Sequence, residues 1–116
     1  MEIKIVETGS VNVLSLQGKM DLANAGLLKA EVKTLLEAGK CKVHLDMQGV
    51  DFINSSGLGA LVSIMKEIRV FKGRLTMSGL APYVNEIFEI TQLSHVFEIF
   101  DTVESAQASY AEAPTA

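Results

Sequence analysis

Asp46-Met47-Gln48-Gly49-Val50-Asp51-Phe52-Ile53-Asn54-Ser55-Ser56-Gly57-Leu58-Gly59 is the stretch whose reading decides how this chain folds. It is preceded by Cys41 to Met47, a short mixed run with Val43 and Leu45 facing inward, which predicts a strand. Val50 to Ile53 extends that strand into a loop before Ser55. Beyond the serines, Leu58, Leu61, Val62, Met65 and Ile68 recur at the spacing of one helix face, and the breaker Gly73 marks the end of the run. A strand therefore delivers the chain to two adjacent serines, and a helix leaves from them.

Upstream, apolar residues alternate over Glu2–Glu7 and Val11–Leu16, with Thr8-Gly9-Ser10 as hairpin punctuation between two strands. Asp21 then offers a helix N-cap, and Leu22, Ala25, Leu28, Val32, Leu35 and Leu36 follow at helical spacing until Gly39. Downstream, Arg74–Ser78 reads as a strand and Pro82 opens a short helix carrying Val84, Ile87 and Phe88. Val96–Phe100 is expected as a last short strand. A terminal helix over Thr102–Tyr110 is capped by Asp101 or Thr102, and residues 111–116 are expected to fray. The order β-β-α-β-α-β-α-β-α predicts an α/β domain over residues 1–110, with a mixed, mostly parallel sheet and helices packed mainly on one face.

With 116 residues, 48% of them hydrophobic, the chain can build one real core but not two. A net charge of −4 from 10 basic and 14 acidic residues leaves no basic footprint for nucleic acid. Cys41 is the single cysteine, so no disulfide can close within the chain, which suits a reducing cytoplasm. Met1-Glu2-Ile3-Lys4-Ile5-Val6 reads as a strand and not as a signal peptide, and no apolar run approaches the ~20 residues needed to cross a bilayer. Direct membrane insertion is not expected.

In α/β sheets, ligands and partners use the crevice at the carboxyl ends of the strands, which is where Asn54-Ser55-Ser56-Gly57 falls. The first turn of a helix has unpaired N–H groups and the positive end of its dipole, so a phosphoryl group on a serine there is stabilised. Its charge of roughly −2 would alter any interface built on the same surface. The plainer reading is that one serine caps the helix and Gly57 relieves crowding.

These residues resemble the signature loop of STAS domains, especially bacterial anti-sigma factor antagonists. The likeness joins a strand-end Asp46, the run Val50-Asp51-Phe52-Ile53, and Ser55-Ser56-Gly57-Leu58-Gly59. Gly18-Lys19-Met20-Asp21 is similar to the Gly-x-Leu-Asp turn before the first helix in that family, and the element order extends the resemblance along nearly the whole chain. The resemblance implies a non-enzymatic module that captures an anti-sigma factor, itself a serine kinase, and that a PP2C-type phosphatase resets. Carried over, the phosphoacceptor is Ser55, with Ser56 as second choice or as the cap of the helix. Asn54 departs from the family's usual Asp at this place, keeping the hydrogen bonding and removing a charge.

Around the serines, Asp21 is a candidate for capping its helix or for the partner surface. Asp46 belongs to the loop's acidic neighbourhood or ends its strand in a turn. Met20 and Leu58 are either exposed contacts or core residues, and Asn54, Ser56 and Gly57 complete the expected partner surface. His44 and His95 make no metal pattern with Cys41, and Ser55 has neither a G-x-S-x-G elbow nor identifiable triad partners, so no metal or cofactor is expected. Two other readings stand beside the leading one: a scaffold or transporter-associated STAS module without sigma control, and a nucleotide-binding or hydrolytic domain.

Overall fold

The computed structural model describes residues 1–112, with the chain folded around a five-stranded sheet. Strands β1 (Glu2–Thr8) and β2 (Val11–Met20) form an antiparallel hairpin. Helix α1 (Leu22–Glu37), strand β3 (Lys42–Ile53), helix α2 (Ser55–Val70) and strand β4 (Arg74–Ser78) follow. Helix α3 (Pro82–Ile90), a turn of 3-10 helix at Leu93–His95, strand β5 (Glu98–Phe100) and helix α4 (Val103–Glu112) complete the chain. Of the tail expected at 111–116, Ala111 and Glu112 belong to α4, and the rest lies outside the described residues.

The strands stand in sequence order, with β2 to β5 parallel. Right-handed crossovers between successive neighbours put every connecting helix on one side of such a sheet. The main core reflects this: Leu14, Leu16, Leu45, Met47 and Met77 of the sheet cluster with Leu28 and Val32 of α1, Leu61 and Ile64 of α2, and Val84 and Phe88 of α3. Helix α4 follows the last strand and lies on the other face. There Tyr110 joins Val11 and Val13 in a small separate cluster, with Val103 against it.

Four details differ from the sequence reading. Strands β2 and β3 run on together to Met20 and Ile53, because register shifts after Ser15 and Gly18 keep the pair bonded past the end of β4. Asp46 therefore lies within β3 and does not end it. Leu22 leaves the core stripe: as the first residue of α1 it overhangs the sheet and is 70% exposed, while Ile64 of α2, not counted in the stripe, is buried. Strand β5 begins at Glu98, since Val96 closes the 3-10 turn with its N–H on the Leu93 carbonyl.

The alternative caps of α4 resolve to Thr102, whose hydroxyl oxygen accepts the Ser105 N–H at 3.1 Å.

Candidate functional site

Met20 and Ile53 are register partners at the ends of β2 and β3, and each is followed by one capping residue and then a helix. The two turns are near copies. Asp21 has φ −110° and ψ −176°, and its carboxylate accepts the Asn24 N–H at 3.0 Å. Asn54 has φ −111° and ψ 178°, and its side-chain oxygen accepts the Gly57 N–H at 2.9 Å. Helices α1 and α2 thus start from adjacent strand ends with their positive dipole ends on the same edge of the molecule.

The expected division of the serine pair needs correction. Ser56 is not the cap of α2, because Asn54 holds that place, and both serines occupy the first turn of the helix itself. Asn54 wins because it is the last extended residue, and its short amide reaches the N–H three residues on. Ser55, Ser56 and Asn54 are all exposed. With the Gly57 N–H used by the cap, the N–H groups of Ser55 and Ser56 are the donors of the first turn that an added oxyanion can meet.

The two turns are also joined to each other through the Met20 carbonyl, which accepts the Asn54 N–H at 3.3 Å. A β-carbon at position 57 would lie 2.0 Å from that same oxygen, so only glycine lets α2 start this close to β2. Gly57 is buried and supports the site from behind. Met20 is likewise wholly buried, which removes it from the expected contact surface and makes it a core residue beneath the turns. Leu58 is half-buried against the same core.

Asp46 does not join this group. It stands seven extended residues before Ile53, about 20 Å along the strand at ~3.3 Å per residue, with its carboxylate accepting the Gln48 N–H. It lines open hollows with Gln48, one shared with Ser15 and Gln17 and the other with Ser78 and Thr102.

Sequence reasoning missed the exposed apolar side chains of this region. Leu22 directly follows the cap of α1, Leu27 is 53% exposed on another side of the same helix, and Phe52, next to buried Ile53, stands on the opposite face of the sheet with the Lys19 ammonium 5.9 Å from its ring centre. The signal for Leu22 was its position next to a cap, where the helix has not yet reached the sheet.

His44 cannot serve Ser55: its ring is wholly buried and bonded to Thr76 and Ser78 of β4. Among the described residues, no group of three His, Cys, Asp or Glu side chains is placed to hold a metal ion.

The STAS domain family model matches residues 2–106, a span that holds both capped turns and the serine pair. The chain belongs to the STAS domain family. This STAS domain is 31% identical over 110 residues to BtrV of Bordetella bronchiseptica, named as an anti-sigma factor antagonist, with 95% of each chain covered. It superposes with a TM-score of 0.89 on the crystal structure of tm1081 from Thermotoga maritima, also named as an anti-sigma factor antagonist, at 25% identity and 95% coverage of both chains. The fold is shared with the anti-sigma factor antagonist SpoIIAA in its unphosphorylated form, at a TM-score of 0.73, 19% identity, and coverage of 97% of this chain and 100% of that one. No helix among the described residues is long and apolar enough to cross a membrane.

Proposed function

We propose that this STAS domain is an anti-sigma factor antagonist that captures an anti-sigma factor with serine kinase activity while Ser55 is unmodified, and is released when Ser55 is phosphorylated. A PP2C-type phosphatase would return it to the binding form. The observation that carries this reading is the exposed Ser55 at the first position of α2, beside a cap that already belongs to Asn54. The hydroxyl is free for modification because the helix does not need it.

The physical switch is a matter of charge. Unmodified, the edge offers the exposed Leu22 beside small polar groups, a surface suited to burial against a partner. A phosphoryl group on Ser55 brings roughly two negative charges into that surface. The α2 dipole and the free N–H groups stabilise the dianion within the domain by about 1 kcal/mol. The same dianion must be desolvated in an interface, and like charges brought together there cost several kcal/mol.

The test is phosphorylation by the cognate kinase with Mg-ATP, mapped by mass spectrometry. Phosphate on Ser55 is expected, and its absence from both serines would remove the kinase-substrate reading. Ser55→Ala is expected to bind the kinase whether or not ATP is present, whereas Ser55→Asp binds at least ~10-fold more weakly. Equal binding by the two variants would rule out the charge switch. Recovery of transport or sensory subunits alone on co-purification would favour the scaffold reading.

A further inference from the structure

The second face of the sheet carries a buried polar chain that the serine site does not use. Tyr110 of α4 lays its hydroxyl against two backbone carbonyls, Val43 O at 3.0 Å and Arg74 O at 3.2 Å. The same hydroxyl meets Thr76 Oγ1 at 3.1 Å, Thr76 Oγ1 meets His44 Nδ1 at 2.8 Å, and His44 Nε2 meets Ser78 Oγ at 2.8 Å. Carbonyls only accept, so the Tyr110 proton points to them and Thr76 must donate to Tyr110. Thr76 has then spent its one proton, and His44 Nδ1 must donate to Thr76. Nε2 is left bare and accepts from Ser78. The bonds fix the neutral Nδ1–H tautomer and run in one sense from Ser78 to the Val43 and Arg74 carbonyls.

We infer that His44 is an acid-sensitive latch for α4: protonation of its imidazole undocks α4 from the second face of the sheet while the main core stays folded. A second proton on Nε2 would force the Ser78 hydroxyl to turn from donor to acceptor and would leave a cation at a fully buried position. The groups around it offer no bonded counter-charge. From β2 it faces Val13, from β4 Thr76 and Ser78, and from α4 Tyr110. Asp46, two residues on along β3, is the acidic group that acts on it; Arg74 beyond Thr76 is paired with Glu98 of β5, and Glu104 of α4 shares a hollow with Asp46 and Ser78.

Burial pushes the imidazole below its ordinary value of 6.5, and Asp46 offsets only part of that push. The docked state thus binds fewer protons than an undocked one with a solvated imidazole. Docking is at full strength above pH 6.5 and weakens as pH falls from there towards the docked-state value. The loss is local because α4 packs through its own cluster, Tyr110 and Val103 on Val11 and Val13, separate from the main core.

The test is amide hydrogen exchange of the full chain by NMR at pH 7.5 and pH 5, read as protection factors. Protection across Ala106–Tyr110 is expected to fall about tenfold or more relative to β3 and β4, and His44→Gln is expected to abolish that difference, while His95→Gln at an exposed site leaves it unchanged. Long-range proton–nitrogen spectra of the unaltered protein supply an independent readout, whether or not His44→Gln folds. They should show the Nδ1–H tautomer at pH 7.5 and an imidazole that titrates with the same midpoint as α4. Constant α4 protection, loss of α4 together with the core, pH dependence that survives His44→Gln, or an Nε2–H tautomer would each overturn the latch.

Discussion

The edge that carries Ser55 and the face that carries α4 are both built from polar side chains, yet they are held in opposite ways. At the edge, Asp21 and Asn54 each bond the N–H three residues ahead, and the serines point to solvent. On the α4 face, Tyr110 reaches Val43, 67 residues away in sequence, and the hydroxyl and imidazole bonds between them are buried. A locally held polar group costs little to expose and suits a surface that must change partners. A polar group held over long range is costly to strand, because each lost partner leaves a buried neighbour unpaired.

The largest effect that would break this contrast is expected at Gly57. Gly57→Ala forces a β-carbon onto the Met20 carbonyl and should cost about 3 kcal/mol in urea unfolding, whereas Gly59→Ala, with nothing within 4 Å, should add up to ~1 kcal/mol through helix propensity. Next in size is Tyr110→Phe, which keeps the ring under the Arg74 guanidinium, 4.3 Å from its centre, and removes only the hydroxyl. A loss of about 2 kcal/mol is expected in thermal or chemical unfolding, because Thr76 and two carbonyls lose a buried partner.

Asn54→Ala should cost about 1 kcal/mol, the ordinary worth of a cap, while Asn54→Asp keeps the cap and its stability. The two variants sharpen the comparison, since Asn54→Asp alone places a fixed anion beside Ser55. It restores the residue the family usually carries before the acceptor, and should speed phosphate incorporation by the kinase without a change in unfolding midpoint. The smallest effect is expected at the rim of the α4 face. The Arg74 hydrogen bonds hold the Glu98 carboxyl below its ordinary range, so its contribution is present at neutral pH and is lost as pH falls through the folded-state value. Glu98 is half-exposed, and Glu98→Gln should cost well under ~1 kcal/mol at neutral pH, with a shallower acid limb.

The same contrast explains what could be read from the chain alone. The strand into Asn54-Ser55-Ser56 and the helices on either side were legible because periodicity and caps are relations between near neighbours. Asp21 was legible as a candidate cap for that reason, beside the partner surface as its other reading. The cap of α2 went to the serines in the sequence reading because serine and asparagine are both good caps, and only the observed end of β3 separates them. The role of His44 was out of reach: nothing near it in sequence names Thr76, Ser78 or Tyr110 as its partners. The run-on of β2 beside β3 was hidden likewise, since the two bulges break the alternation on which strand reading depends.

The carbonyl of Met20 receives the Asn54 N–H and also sets the limit on what residue 57 can be. Substitutions in the two turns are therefore not independent events in the history of such a chain. A side chain gained at position 57 would survive only where the turn after β2 had already moved aside, and descendants that drift at one turn should carry a matching trace at the other.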